Sequence, residues 1–128
     1  MILEVDDNDA IREMVDAVLS LEGYRVVTAV DGTQAIAEIK RRLAVGEGLP
    51  QLVLLDLTMP KMGGYQTMAE LRQLPGGDGV PVIFVSALPE DEERGSALAA
   101  GGVDYLSKPF KIPALLAMVA RHVVVREG

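Results

Sequence analysis

The chain has 128 residues, 49% of them apolar and 24% charged, which suits one globular domain with a core of its own. It contains no cysteine, so disulfides and thiolate metal sites are excluded. A net charge of −7 argues against direct binding to nucleic acid or an anionic membrane, and no apolar run reaches membrane-spanning length.

Met1 leads, with no signal-peptide pattern, into Ile2-Leu3-Glu4-Val5, a short strand interrupted by Glu4. A cytoplasmic location is therefore the expectation. A strand so close to Met1 also predicts a few residues ahead of it. Past Asp6-Asp7-Asn8-Asp9, the residues Ile11, Met14, Val15, Val18 and Leu19 recur at helical spacing, with Asn8 or Asp9 as cap and Gly23 as stop. Residues 24–29 are β-branched and read as a second strand. Asp31-Gly32 then turns the chain into a helix carrying Ala35, Ile36, Ile39 and Leu43 on one face.

Four consecutive apolar residues at 52–55 predict a third strand buried on both faces. It ends at Asp56, and Met59-Pro60 with Gly63-Gly64 forces a loop. A helix over residues 65–73 turns Met68 and Leu71 inward, and residues 75–79 break it. Residues 82–85 form a fourth strand ending at Ser86. The acidic run Glu90-Asp91-Glu92-Glu93 suits the start of a helix over 90–100, the one with the weakest apolar stripe. Gly101-Gly102 closes it, residues 103–106 form a fifth strand, and Lys108-Pro109 turns the chain. The last helix carries Ile112, Leu115, Leu116, Val119 and Val123, with Pro113 in its first turn.

Five strands alternating with five helices, without a hairpin signal or an internal repeat, predict one α/β domain over residues 1–128. Its sheet is parallel, doubly wound and covered by helices on both faces. In such a sheet the working groups gather beyond the carboxyl ends of the strands. Asp6 and Asp7 follow the first strand, Asp56 ends the third, Ser86 ends the fourth and Lys108 follows the fifth. Two carboxylates about 4 Å apart repel by roughly 4 kcal/mol at an effective dielectric of 20, so three require a cation. Oxygen donors without histidine or cysteine suit a hard ion that keeps its waters, Mg²⁺ or Mn²⁺. An anion held between that metal, the Lys108 ammonium and the Ser86 hydroxyl reads as a phosphoryl group. Tyr105 reads equally well as a strand aromatic resting on the core. His122 reads as a surface residue with no nucleophile beside it.

The motifs Val5-Asp6-Asp7-Asn8, Leu55-Asp56-Leu57-Thr58-Met59-Pro60, Val85-Ser86-Ala87 and Tyr105-Leu106-Ser107-Lys108-Pro109-Phe110 together resemble a response-regulator receiver domain of two-component signalling. The likeness runs over essentially the whole chain. It implies a flavodoxin-like, chemotaxis-regulator-like (βα)5 fold with strand order 2-1-3-4-5. It also implies that Asp56 accepts a phosphoryl group from the phosphohistidine of a histidine kinase or phosphotransfer domain. Asp6, Asp7, Asp56 and the backbone carbonyl of Thr58 would hold Mg²⁺, with Asp6 acting partly through water. Lys108 would contact a phosphoryl oxygen, Ser86 would be drawn toward it, and Tyr105 would turn inward to fill the space left. The downstream partner or output domain is not named by the resemblance, which also allows a phosphorylation-linked dimer.

Two positions depart from the family pattern. Gly63 stands where receivers commonly have aspartate, which predicts a looser loop, and Glu4 stands in a usually apolar strand, which predicts a wetter face there. Two other functions compete. A haloacid-dehalogenase-type aspartyl phosphatase would want a second aspartate where Thr58 stands, and a non-phosphorylated docking module would have lost Asp56, Lys108 or an acidic-pair residue.

Overall fold

The computed structural model describes residues 1–123. The elements run β1 (Ile2–Val5), α1 (Asp9–Leu21), β2 (Val26–Ala29), α2 (Gly32–Ala44), β3 (Leu52–Asp56), α3 (Gly64–Gln73), β4 (Val82–Ser86), α4 (Glu90–Ala99), β5 (Asp104–Ser107) and α5 (Ile112–His122). A short 3-10 turn at Gly77–Gly79 separates α3 from β4. The sheet is parallel in the order β2-β1-β3-β4-β5. Fold class and strand order are as expected. Differences are confined to ends: β2 starts at Val26 because the Tyr24 N–H still bonds the Leu19 carbonyl, and Val123 lies buried just past α5.

Alternation along the strands divides the core into two layers. Ile2, Leu52, Leu54, Ile83, Val85 and Leu106 pack against Val15 and Leu19 of α1 and Leu115 and Val119 of α5. Leu3, Val5, Val53, Leu55, Phe84 and Tyr105 face the other way, against Ile36 and Ile39 of α2, Met68 and Leu71 of α3, and Ala97 of α4. Both faces of β3 are covered, which is why its apolar run is unbroken.

Capping is uneven. The Asn8 side chain accepts the Ile11 N–H and caps α1, and Asp31 accepts the Gln34 N–H and caps α2. Gly63 and Pro89 begin α3 and α4 without a side-chain cap. The Gly63 carbonyl accepts both the N–H and the hydroxyl of Thr67 in the first turn of α3. Gly64 allows close approach, since a Cβ there would lie 2.6 Å from the Asp56 carbonyl oxygen. Only Ala97 of α4 is buried, and polar contacts hold the helix: Glu93 accepts from the Tyr65 hydroxyl at 2.5 Å, and Arg94 reaches Asp104 at 3.3 Å.

Two expectations are overturned. Glu4 does not wet its face of β1: it is 3% exposed, on the side covered by α1 and α5, and its Oε2 has no hydrogen-bond partner among the described residues. His122 is not a free surface residue. Its Nε2 lies 3.2 Å from Asp104 Oδ2, because the last turn of α5 passes over the start of β5.

Candidate functional site

Strand register assembles the site. β1 and β3 pair with Val5 opposite Leu55, so the next residues, Asp6 and Asp56, emerge side by side. Alternation puts both on the α1/α5 face, together with Lys108 beyond β5. The Lys108 ammonium lies 2.6 Å from Asp6 Oδ2 and 3.1 Å from Asp56 Oδ2, linking loops 102 and 52 residues apart in sequence. One carboxylate oxygen of each of Asp6, Asp7 and Asp56 lies within 4.8 Å of the others. Asp6 and Asp56 are buried, whereas Asp7 is exposed at the rim.

The electrostatics follow from this crowding. Burial pushes the Asp56 carboxyl above its usual range, against the pull of the Thr58 N–H and Lys108. Burial also works to lower the Lys108 ammonium, but the Asp6 hydrogen bond and the Asp56 and Asp6 charges outweigh it and hold Lys108 above the ordinary lysine range. Three carboxylates facing one ammonium leave an uncompensated negative charge among oxygen donors. That donor set fits a hard divalent ion such as Mg²⁺.

Of the other residues expected at the site, Thr58 contacts this cluster, whereas the side chains of Ser86 and Tyr105 make their hydrogen bonds with Leu88. The Thr58 N–H donates to Asp56 Oδ1 at 3.1 Å, fixing the carboxylate plane. Ser86 is fully buried, and its Oγ accepts the Leu88 N–H at 3.0 Å. Tyr105 is 1% exposed, and its hydroxyl donates to the Leu88 carbonyl at 3.1 Å. Its ring therefore already occupies the inward position. The Lys108–Pro109 peptide is cis.

Asn8, expected as a helix cap, and Arg12, not singled out from the sequence, both hold Asp6. The Asn8 N–H donates to Asp6 Oδ1 at 2.9 Å, and the Arg12 guanidinium donates to the Asp6 carbonyl at 2.7 Å. The Asp-x-Asn spacing is a turn signal consistent with the expected Asn8 cap; Arg12 carries no comparable local signal. Beside the site, Ile11, Met14, Ala87, Lys108, Pro109 and Phe110 line a mostly apolar recess of about 340 Å³.

The sequence profile of the response regulator receiver domain matches residues 2–120. The chain belongs to this family. This receiver domain is 39% identical over 111 residues to the probable transcriptional regulatory protein TcrX of Mycobacterium tuberculosis, covering 87% of this chain and 44% of that protein. It is 37% identical over 118 residues to the response regulator MprA of Mycobacterium leprae, covering 92% and 48%. It thus spans less than half the length of these curated relatives. Among solved structures, the Vibrio cholerae chemotaxis protein CheY4 superposes with a TM-score of 0.84 at 29% identity, covering 95% of this chain and 97% of that one. The receiver domain of a Pseudomonas aeruginosa PAO1 sensor histidine kinase, solved with a magnesium ion coordinated in its active site cleft, superposes at 0.81 with 34% identity, covering 94% of each chain. No described helix is long and apolar enough to cross a membrane.

Proposed function

We propose that this receiver domain is a phosphorylation-activated signalling switch whose acceptor is Asp56. The observation that carries this reading is the Asp56 carboxylate, at the end of a central strand, bonded to Lys108 and within reach of Asp6 and Asp7. Its Oδ attacks the phosphorus of a phosphohistidine, the P–N bond breaks, and the imidazole departs with the electron pair and takes up a proton. The aspartyl phosphate formed is an acyl phosphate. Lys108 leaves its two carboxylates to neutralise a phosphoryl oxygen, while the Thr58 N–H keeps the acceptor oriented. Asp6, Asp7, Asp56 and the Thr58 carbonyl would hold Mg²⁺, which when bound supplies positive charge to the transferring group. Beyond this self-directed chemistry and slow loss of its own phosphate, no enzymatic turnover belongs to the reading.

The apolar recess between α1 and residues 108–110 opens beside the acceptor and suits a donor helix from a histidine kinase or phosphotransfer domain. Readout runs through α4, β5 and α5. Drawing the Ser86 hydroxyl from the Leu88 N–H to a phosphoryl oxygen would shift the segment that anchors Tyr105. The downstream partner or appended output segment belongs to the same proposal, since the curated relatives are about twice as long.

Incubation with acetyl phosphate tests this. Intact-mass analysis should show one acid-labile phosphoryl adduct with Mg²⁺, absent in Asp56→Asn and strongly reduced in excess chelator. Equal labelling of Asp56→Asn would refute the acceptor, and equal labelling in chelator would refute the metal.

A further inference from the structure

Asp6 is held at every polar atom it has. Its N–H donates to the Ala29 carbonyl at 3.1 Å, Oδ1 accepts the Asn8 N–H at 2.9 Å, and Oδ2 accepts Lys108 at 2.6 Å. The carbonyl accepts the Arg12 guanidinium at 2.7 Å, a side chain reaching back six residues from α1 to a main-chain oxygen. That carbonyl belongs to the peptide plane joining Asp6 to Asp7. Asp7 has no side-chain hydrogen bond of its own among the described residues, so the Asp6–Asp7 peptide is the restraint on where its side chain starts.

We infer that Arg12 is a positioning residue that sets the divalent-cation affinity of the acidic cluster by fixing the Asp6–Asp7 peptide, without touching the ion. The inference rests on the Mg²⁺ reading given above. Two features favour positioning over a plain charge effect. The Arg12 side chain is only 14% exposed, so its direction is constrained by packing. Its other terminal nitrogen pairs with the Asp9 carboxylate, which offsets the repulsion a bare guanidinium would exert on a cation. If charge alone mattered, removing Arg12 would tighten the ion. If the clamp matters, removal weakens it, because binding must then order the Asp7 backbone.

The test is calorimetric titration of the unphosphorylated protein with Mg²⁺ and with Mn²⁺, in wild type, Arg12→Ala, Arg12→Lys and Asp9→Ala. Urea unfolding in chelator runs beside it to confirm that each variant folds. Arg12→Ala should weaken the ion about tenfold, the scale of ordering one backbone residue. Arg12→Lys, which keeps a single donor nitrogen, should fall between. Asp9→Ala should stay within about twofold of wild type, because it leaves the Asp6 contact in place. Should Arg12→Ala fail to fold, Arg12→Lys alone must still bind more weakly than wild type. Unchanged or tighter binding in the Arg12 variants would overturn the inference, as would equal weakening in Asp9→Ala. A wild type that binds neither ion would refute the metal reading itself, an outcome distinct from variants that bind like wild type.

Discussion

Replacing Glu4 should stabilise this protein, by an amount that grows with pH. Burial, reinforced by the nearby Asp6 charge, raises the Glu4 carboxyl from 4.5 to about 8, so the folded chain holds a proton there at neutral pH that the unfolded chain releases. A tenfold change in proton affinity is worth about 1.4 kcal/mol, so retaining that proton at pH 7 costs roughly 3 kcal/mol of folding free energy. That is a large share of the roughly 5–15 kcal/mol typical of a domain. Because the folded pKa is raised, the folded state binds more protons than the unfolded state between about 4.5 and 8. Stability therefore falls as pH rises through that window and levels off beyond it. Glu4→Gln keeps the shape and removes the titration, while Glu4→Val also removes the polar atom that lacks a partner. Urea unfolding in chelator from about pH 5 to 8.5 should show the stability gap between Glu4→Gln and wild type widening by about 4 kcal/mol. Glu4→Val should gain further at every pH. A gap that stays constant across the range would refute the reasoning.

Lys108→Ala removes the cation shared by Asp6 and Asp56, so in chelator it should destabilise the fold by about 3 kcal/mol, with added Mg²⁺ recovering part of the loss; a metal-free stability equal to wild type would make the lysine energetically neutral. The receiver resemblance implies that groups two residues after the acceptor and two after the hydroxyl residue influence the attacking water; these are Thr58 and Leu88, and the Leu88 side chain cannot hydrogen-bond it. Thr58→Asn with Leu88→Glu should therefore speed loss of the phosphoryl group about tenfold, or roughly 1.4 kcal/mol of barrier, in a radiolabel decay assay; unchanged or slower decay would count against it. Asp104 is buried beside Arg94, Arg121 and His122; burial pushes its carboxyl up, but the Tyr105 N–H, the His122 hydrogen bond and the Arg94 charge outweigh it and hold it below the usual range. Asp104→Asn should cost about 2 kcal/mol at pH 7 and raise amide exchange in α4 and α5. Because the folded pKa is depressed, that penalty should shrink as pH falls below about 4; a penalty independent of pH would point to packing instead.

The order of elements was legible in the sequence because each carries a local signal. The unbroken apolar run at 52–55 has the length and uniformity of a strand covered on both faces, and the 3.6-residue recurrence of Ile11, Val15, Val18 and Leu19 marks one face of a helix. The candidate site was legible for a similar reason. A parallel sheet sends every strand's carboxyl end to one edge, so Asp6, Asp56, Ser86 and Lys108 were expected at that edge, where strand order and register bring Asp6, Asp56 and Lys108 together. What tertiary structure alone decided depends on through-space neighbours that no spacing encodes. Glu4 looks like a break in an apolar strand, and only the packing of α1 and α5 over β1 makes it a buried, proton-holding carboxyl. His122 looks exposed until the last turn of α5 lies over Asp104. Tyr105 reads as either core or switch, and its inward hydroxyl is set by the Leu88 carbonyl, 17 residues away on another loop. Arg12 looks like one charge on an amphipathic helix. Its contact with the Asp6 carbonyl exists because α1 folds back along the strand it follows, a geometry set by core packing and invisible to local pattern.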